Sequence, residues 1–225
     1  MTRDAWRAEF LLPDGRIVRE SQAGYARALA FGLLPDEVRG AAADRLAHLV
    51  EAADGHLTTG FLATGLLLPA LADHGRIDAA YRVLMATGVP SWLEMVKRGA
   101  TTIWEWWDGV ADDGSVRGSL NHYAKGAVAS FLHTHVAGLR VPDDPDPADA
   151  GFRRVLIAPR PGGGITRAAT WQQTAQGRIE VAWRLEQDAL VLRTEIPNGI
   201  EAEYVAVDGS RTRLPAGATE RRLPR

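Results

Sequence analysis

The 225-residue chain contains no cysteine, which excludes disulfides and thiolate metal sites and says nothing of compartment. Lysine is almost missing as well: the 26 basic residues are arginine apart from Lys97 and Lys125. No dense basic cluster forms before the closing "ERRLPR", and the formal net charge is −2. Both facts argue against a dedicated nucleic-acid binder. No segment approaches the roughly 20 apolar residues of a membrane span. The opening "MTRDAWRAEFLLPDG" lacks the uninterrupted apolar core of a signal peptide. The expectation is a cytoplasmic protein with no membrane contact. Neither a Gly-x-Ser-x-Gly elbow nor a dinucleotide fingerprint occurs, so no cofactor is expected.

What the chain does contain falls into two halves of different period. Up to about residue 140 the spacing is helical. In "ESQAGYARALAFGLL", Ala23, Ala26, Leu29 and Ala30 share a face. "PDEVRGAAADRLAHLVEAADG" opens on a proline and acidic first turn, carries Val38, Ala42, Leu46, Leu49 and Val50, and stops at Gly55. Four more helices follow in "TTGFLATGLLLPALADHG", "RIDAAYRVLMATG", "PSWLEMVKRG" and "NHYAKGAVASFLHTHVAG". The last places Ala127, Val128, Phe131, Leu132 and Val136 on one face. Trp6 and Phe10 fit the tail of a further helix. "VPDDPDPADAG" then breaks the period and reads as a linker over residues 142–150. Beyond it "RRVLIAP", "GRIEVAWRL", "ALVLRTEIP" and "AEYVAVDG" alternate as strands. The expected organisation is a helical unit over 1–141 and a small antiparallel β-sandwich over 151–225. About six helices make either a bundle or half of a twelve-helix α/α barrel.

One stretch stands out. "ATTIWEWWDG" crowds Trp104, Trp106 and Trp107 around Glu105 and Asp108. Two readings fit it. Either the tryptophans are core and Glu105 pairs with an arginine, or flat ring faces hold a sugar while the carboxylate acts on it. A water-poor aromatic surround raises a carboxylate pKa, as glycosidase chemistry with two carboxylates requires. In "SLNHYAKG", Asn121 is a good N-cap and His122 falls in the first turn. That histidine either donates to a sugar hydroxyl or satisfies a buried carbonyl. His133 and His135 stand two apart on a helix and diverge, so no metal is expected there. "RPGGGI" joins two strand-like runs and reads as a tight turn, and "DDPDP" as a solvated linker.

These stretches carry a family resemblance. "GATTIWE" (99–105), "SLNHYAKGAV" (119–128) and "APRPGGG" (158–164) occur in one order behind "PDGRIVRESQAGYARALAFGLLP" (13–35). Together they resemble the C-terminal part of bacterial α-L-rhamnosidases, glycoside hydrolase family seventy-eight, over nearly the whole chain. The resemblance implies part of an (α/α)₆ barrel followed by a β-sandwich. It implies inverting hydrolysis of terminal α-L-rhamnosides, with two carboxyls roughly 6.5–9.5 Å apart. Glu105 matches the family's general base, and His122 a histidine of the sugar pocket. Trp104 is expected to line that pocket, with Trp92 of "PSW" a further wall. The chain departs from the pattern in three places. The acidic motif carrying the general acid has no counterpart. "ATGLLLP" (63–69) stands where the family has "GTPYLLP". Trp106 replaces a residue that is often arginine.

The leading expectation is therefore a rhamnosidase-like fragment that supplies the base and lacks the acid, inactive alone. Its partners would be a rhamnosylated carbohydrate and either a missing N-terminal half as a separate chain or a second copy of itself. The alternative is a non-catalytic remnant that binds carbohydrate or a partner. A third reading is another α/α-barrel glycosidase acting on a different deoxy-sugar or a uronic acid through Glu105.

Overall fold

Capping residues set the beginnings of the helices. Thr2 and Ser21 accept from the N–H groups of Ala5 and Gly24, opening α1 (Arg3–Phe10) and α2 (Gln22–Ala30). Pro35 opens α3 (Asp36–Ala52), whose first turn holds Asp36 and Glu37 at the positive end of the helix dipole. Its end is Gly55, at φ +79°, whose N–H donates to the Val50 carbonyl. α4 (Phe61–Asp73) buries Ala63, Thr64, Leu67, Leu68, Ala70 and Leu71 on most of its circumference and forms the centre of this unit. Arg76 N–H reaches back to the Leu71 carbonyl at 2.8 Å to close it, before α5 (Ile77–Leu84). Ser91 caps α6 (Trp92–Lys97). Trp6 and Phe10 lie on α1 with ring centroids 5.7 Å apart, so the expected helix tail is a helix in its own right.

The computed structural model describes residues 2–142 and 145–224. The chain divides into two compact units, Met1–Val128 and Ala129–Arg225. Of the linker expected over 142–150, Asp143 and Asp144 lie outside the described residues. Pro147–Asp149 forms a 3₁₀ turn capped by Asp146.

The helical core of the first unit includes one polar tie. Gln22 is 1% exposed, and its amide makes three bonds. It donates to the Leu49 and His56 carbonyls and accepts from Thr58 N–H at 2.8 Å. A buried amide satisfied in this way fixes the approach to α4 without a desolvation penalty. It also explains why α2 turns Gln22 and Tyr25 inward beside Ala26 and Leu29, which are buried as expected, while Ala30 of the same expected face is exposed. Close packing is limited by Gly65, where an added Cβ would stand 2.8 Å from the Ala127 Cβ.

The sixth helix is not continuous. It breaks into α7 (Tyr123–Gly126), α8 (Val128–Phe131) and a π-helical turn, Leu132–Val136. A π turn holds more residues than an α turn and rotates the following face. Leu132, expected in the core, is 42% exposed, and His135 takes the buried place at 6%. His135 stacks on Phe131 with centroids 4.9 Å apart, and His133 Nδ1 bonds the Thr170 hydroxyl at 2.6 Å. Burial lowers the pKa of His133. Both histidines therefore have structural work in the second unit.

Two four-stranded sheets make up the rest. One runs β1 (Leu139–Arg140), β2 (Arg154–Ile157), β6 (Glu201–Val205), β7 (Arg211–Leu214). The other runs β3 (Arg167–Thr174), β4 (Gly177–Glu186), β5 (Ala189–Ile196), β8 (Gly217–Pro224). Pairing is antiparallel as expected, except that β2 and β6 are parallel, Arg154 facing Glu201 and Ile157 facing Tyr204. Strands β3, β4 and β5 of the second sheet lie between them in sequence, which supplies the crossover a parallel pair needs. Trp183 on β4 is 3% exposed and donates its indole N–H to the Val136 carbonyl at 2.8 Å. Trp183→Phe leaves that carbonyl unpaired and lowers stability by about 1–2 kcal/mol, read as a shifted urea midpoint. An unchanged midpoint would remove the bond from the account.

Candidate active site

The site is built on the irregular segment between α6 and α7, which folds back on itself as a ladder. His122 N–H donates to the Ile103 carbonyl at 2.8 Å, Glu105 N–H to the Ser119 carbonyl at 2.8 Å, and Arg117 N–H to the Gly109 carbonyl at 2.9 Å. Val110 and Val116 form a bridge beyond that, and Asp113 accepts from Ser115 N–H at the tip. These rungs set Glu105 beside the root of α7, so two residues 17 apart in sequence share one rim. Arg98 clamps the ladder from α6: it pairs with Glu94 at 2.8 Å and with Asp112 at 2.9 Å, and donates to the Val110 carbonyl.

Glu105 is half-buried. Its Oε2 accepts from Ser119 N–H at 3.0 Å, while Oε1 has no hydrogen-bond partner among the described residues. Gly118 makes this arrangement possible. Its φ is +66°, and an added Cβ would stand 2.5 Å from Trp106 Cδ1 and 2.9 Å from Glu105 Oε2. Gly118→Ala therefore lowers stability by about 2 kcal/mol and displaces the carboxylate. Urea unfolding checks the first effect, and an unmoved midpoint would refute the close approach.

His122 is the N-cap of α7, its Nδ1 accepting from Ala124 N–H at 3.3 Å. The sequence pointed to Asn121 for that role, but Asn121 lies one residue outside, its backbone held by Ser119. The His122 ring stacks on Tyr123 at 5.0 Å and meets the edge of Phe61 at 6.0 Å. Tyr123 and Phe61 are 75% and 52% exposed, so His122 stands in an open aromatic cluster.

The tryptophans divide by depth. Trp104 and Trp92 are buried, at 4% and 5% exposure. Trp104 packs under the ladder against Gly109, and Trp92 meets Trp107 edge to face at 5.4 Å. Trp106 is the solvent-facing ring, and the Arg117 guanidinium lies 3.8 Å over its centroid. Arg117 also approaches Asp108 at 3.7 Å.

Lys125 escaped the sequence reading. It is 4% exposed on the first turn of α7, and its ammonium lies 4.2 Å over the Trp107 ring and donates to the Glu105 carbonyl. Burial drives its pKa down to about 8, partly opposed by Asp108 and Glu105. The available signal was its rarity, as one of two lysines, among alanines in an apolar helix. No cluster of three or more metal-ligating side chains occurs among the described residues. Nor is any described helix long and apolar enough to cross a membrane.

The chain is similar to known proteins over both of its units. Residues 1–136 match the bacterial alpha-L-rhamnosidase six-hairpin glycosidase domain, and residues 138–220 the bacterial alpha-L-rhamnosidase C-terminal domain. An alpha-L-rhamnosidase of Streptomyces avermitilis is 39% identical over 205 residues, covering 89% of this chain and 19% of that protein. The crystal structure of native Aspergillus terreus α-L-rhamnosidase superposes with a TM-score of 0.89 at 34% identity, covering 98% of this chain and 26% of that one. The Streptomyces avermitilis enzyme complexed with L-rhamnose gives 0.83 at 36% identity, covering 99% of this chain and 22% of that one. The chain spans about a fifth of the length of the curated relatives it matches. With its helical unit and its β unit each matching in order, the chain belongs to the bacterial α-L-rhamnosidase family of six-hairpin glycosidases.

Proposed function

We propose that this chain carries the base side of an inverting α-L-rhamnosidase site, with Glu105 as the general base. The supporting observation is the Glu105 carboxylate itself. One oxygen is fixed by Ser119 N–H, the other is free for water, and His122 stands on the adjoining rung. In this mechanism Glu105 Oε1 takes a proton from water as the water oxygen bonds to the anomeric carbon. The glycosidic C–O bond breaks, and its electron pair leaves with the aglycone oxygen. Protonation of that oxygen comes from an acid outside these residues. His122 donates to a sugar hydroxyl. Trp106 offers an exposed ring, while Trp104 and Trp92 form the walls behind Glu105. The chain alone is then a poor catalyst towards natural glycosides.

An aryl α-L-rhamnoside whose phenolate departs without protonation removes the need for the acid. With it the purified chain is expected to release L-rhamnose as the β-anomer, seen by proton NMR before mutarotation. First release of the α-anomer, or a complete lack of L-rhamnose binding by calorimetry, would overturn the reading. Binding without any turnover of this substrate favours the second reading, a non-catalytic carbohydrate- or partner-binding remnant. The exposed Phe61, Leu62 and Tyr123 are the observation that speaks for it.

A further inference from the structure

We propose that Lys125 is the positioning residue of this site, its ammonium fixing the backbone from which the Glu105 carboxylate projects. The inference rests on the reading of Glu105 as the base. Four contacts close a circuit around it. Lys125 Nζ donates to the Glu105 carbonyl, the same ammonium lies over the Trp107 ring, Trp107 meets the edge of Trp92, and Trp92 donates its indole N–H to the Lys125 carbonyl at 3.0 Å. The circuit joins the first residue of α6, the first turn of α7 and the ladder carrying Glu105. Each ring is positioned by another member, and the ammonium is the only member that bonds the Glu105 backbone.

The charge matters as well as the length of the side chain. A neutral amine keeps one hydrogen bond and loses the attraction of the ring face, which is strongest for a desolvated cation. The charged groups around Lys125 are few. Glu105 and Asp108 come from the ladder, with Arg117 partnering Asp108 beyond them. On α6, Glu94 is engaged by Arg98 and Lys97. His122 lies on the same turn of α7. The proton is lost as pH rises through about 8, because the burial that holds the ammonium over the ring also disfavours its charge.

The test compares the wild-type chain with Lys125→Arg and Lys125→Met. Amide-exchange protection at Glu105 and Ser119 is measured below and above pH 8, with L-rhamnose affinity by calorimetry alongside. In the wild type, protection rises about ten-fold from pH 7 to pH 9, because an opening that exposes Lys125 must then take up a proton. Lys125→Arg keeps its charge and shows no such step. Lys125→Met is low in both at every pH although melting shows it folded. Equal protection in wild type and Lys125→Met, or the same step in Lys125→Arg, overturns the anchoring. Low protection in Lys125→Met with unchanged rhamnose affinity overturns the link to the site. A chain that never binds L-rhamnose overturns the rhamnosidase reading, and the exchange data still decide the anchoring.

Discussion

Glu105→Gln lowers hydrolysis of an activated aryl α-L-rhamnoside by about 10²–10⁴-fold, the usual contribution of a general base. The melting curve stays in place, because glutamine is nearly isosteric and its amide oxygen still accepts from Ser119 N–H. The substitution removes only the capacity to take a proton from water at Oε1. An activated aglycone is essential to the measurement, since a substrate that needs acid assistance would hide the base. Equal rates in the two proteins would remove Glu105 from the chemistry. A collapse in stability would show the carboxylate to be a structural ion instead.

The site was legible where chemistry concentrates unusual side chains, and less so where it depends on how the chain returns. Three tryptophans around one glutamate marked the place, but nothing in "VADDGSVRGS" announces the ladder that brings Ser119 to Glu105. That ladder rests on backbone bonds and on Gly118, whose left-handed turn is one of many glycines to the eye. The cap of α7 shifted by one residue because Asn121 is the better capping type, while the Ser119 bonds hold it outside the helix. The helices of the first unit were visible through period and caps. The π turn was not, because it leaves no mark in the composition and only rotates the following face. In the second unit β4 and β5 were clear from their alternating apolar residues. β3, β7 and β8 were missed because "RAATWQQT", "RTRL" and "GATERRLP" carry few large apolar residues to mark an inward face. The β2–β6 pairing joins residues more than 40 apart, and no local signal specifies it.

Lys125→Met changes the pH dependence of stability by about 3 kcal/mol, the free-energy equivalent of a lysine moved from 10.5 to about 8. The folded chain holds this proton less tightly than the unfolded chain. Between about 8 and 10.5 the unfolded state therefore binds more protons, and wild-type stability rises with pH through that window. Below it the full cost of burying the cation is present, and above it the cost is gone. The methionine variant has no such term, so its stability relative to wild type is greatest below pH 8 and declines as pH rises to 10.5. Against this stands the Glu105 carbonyl left without a donor, at about 1–3 kcal/mol, which is nearly constant over the window. Tyr25 and Tyr81, pushed up to about 12 by burial, titrate outside it and are common to both proteins. Urea unfolding at several pH values reads the difference, with Lys97→Met as control because that lysine is 79% exposed on its side chain. Parallel curves for wild type and Lys125→Met would mean that Lys125 is not held as a buried cation. Converging curves identify a charge that costs the fold stability while bonding the backbone of Glu105, which packing alone does not account for and a poised carboxylate does.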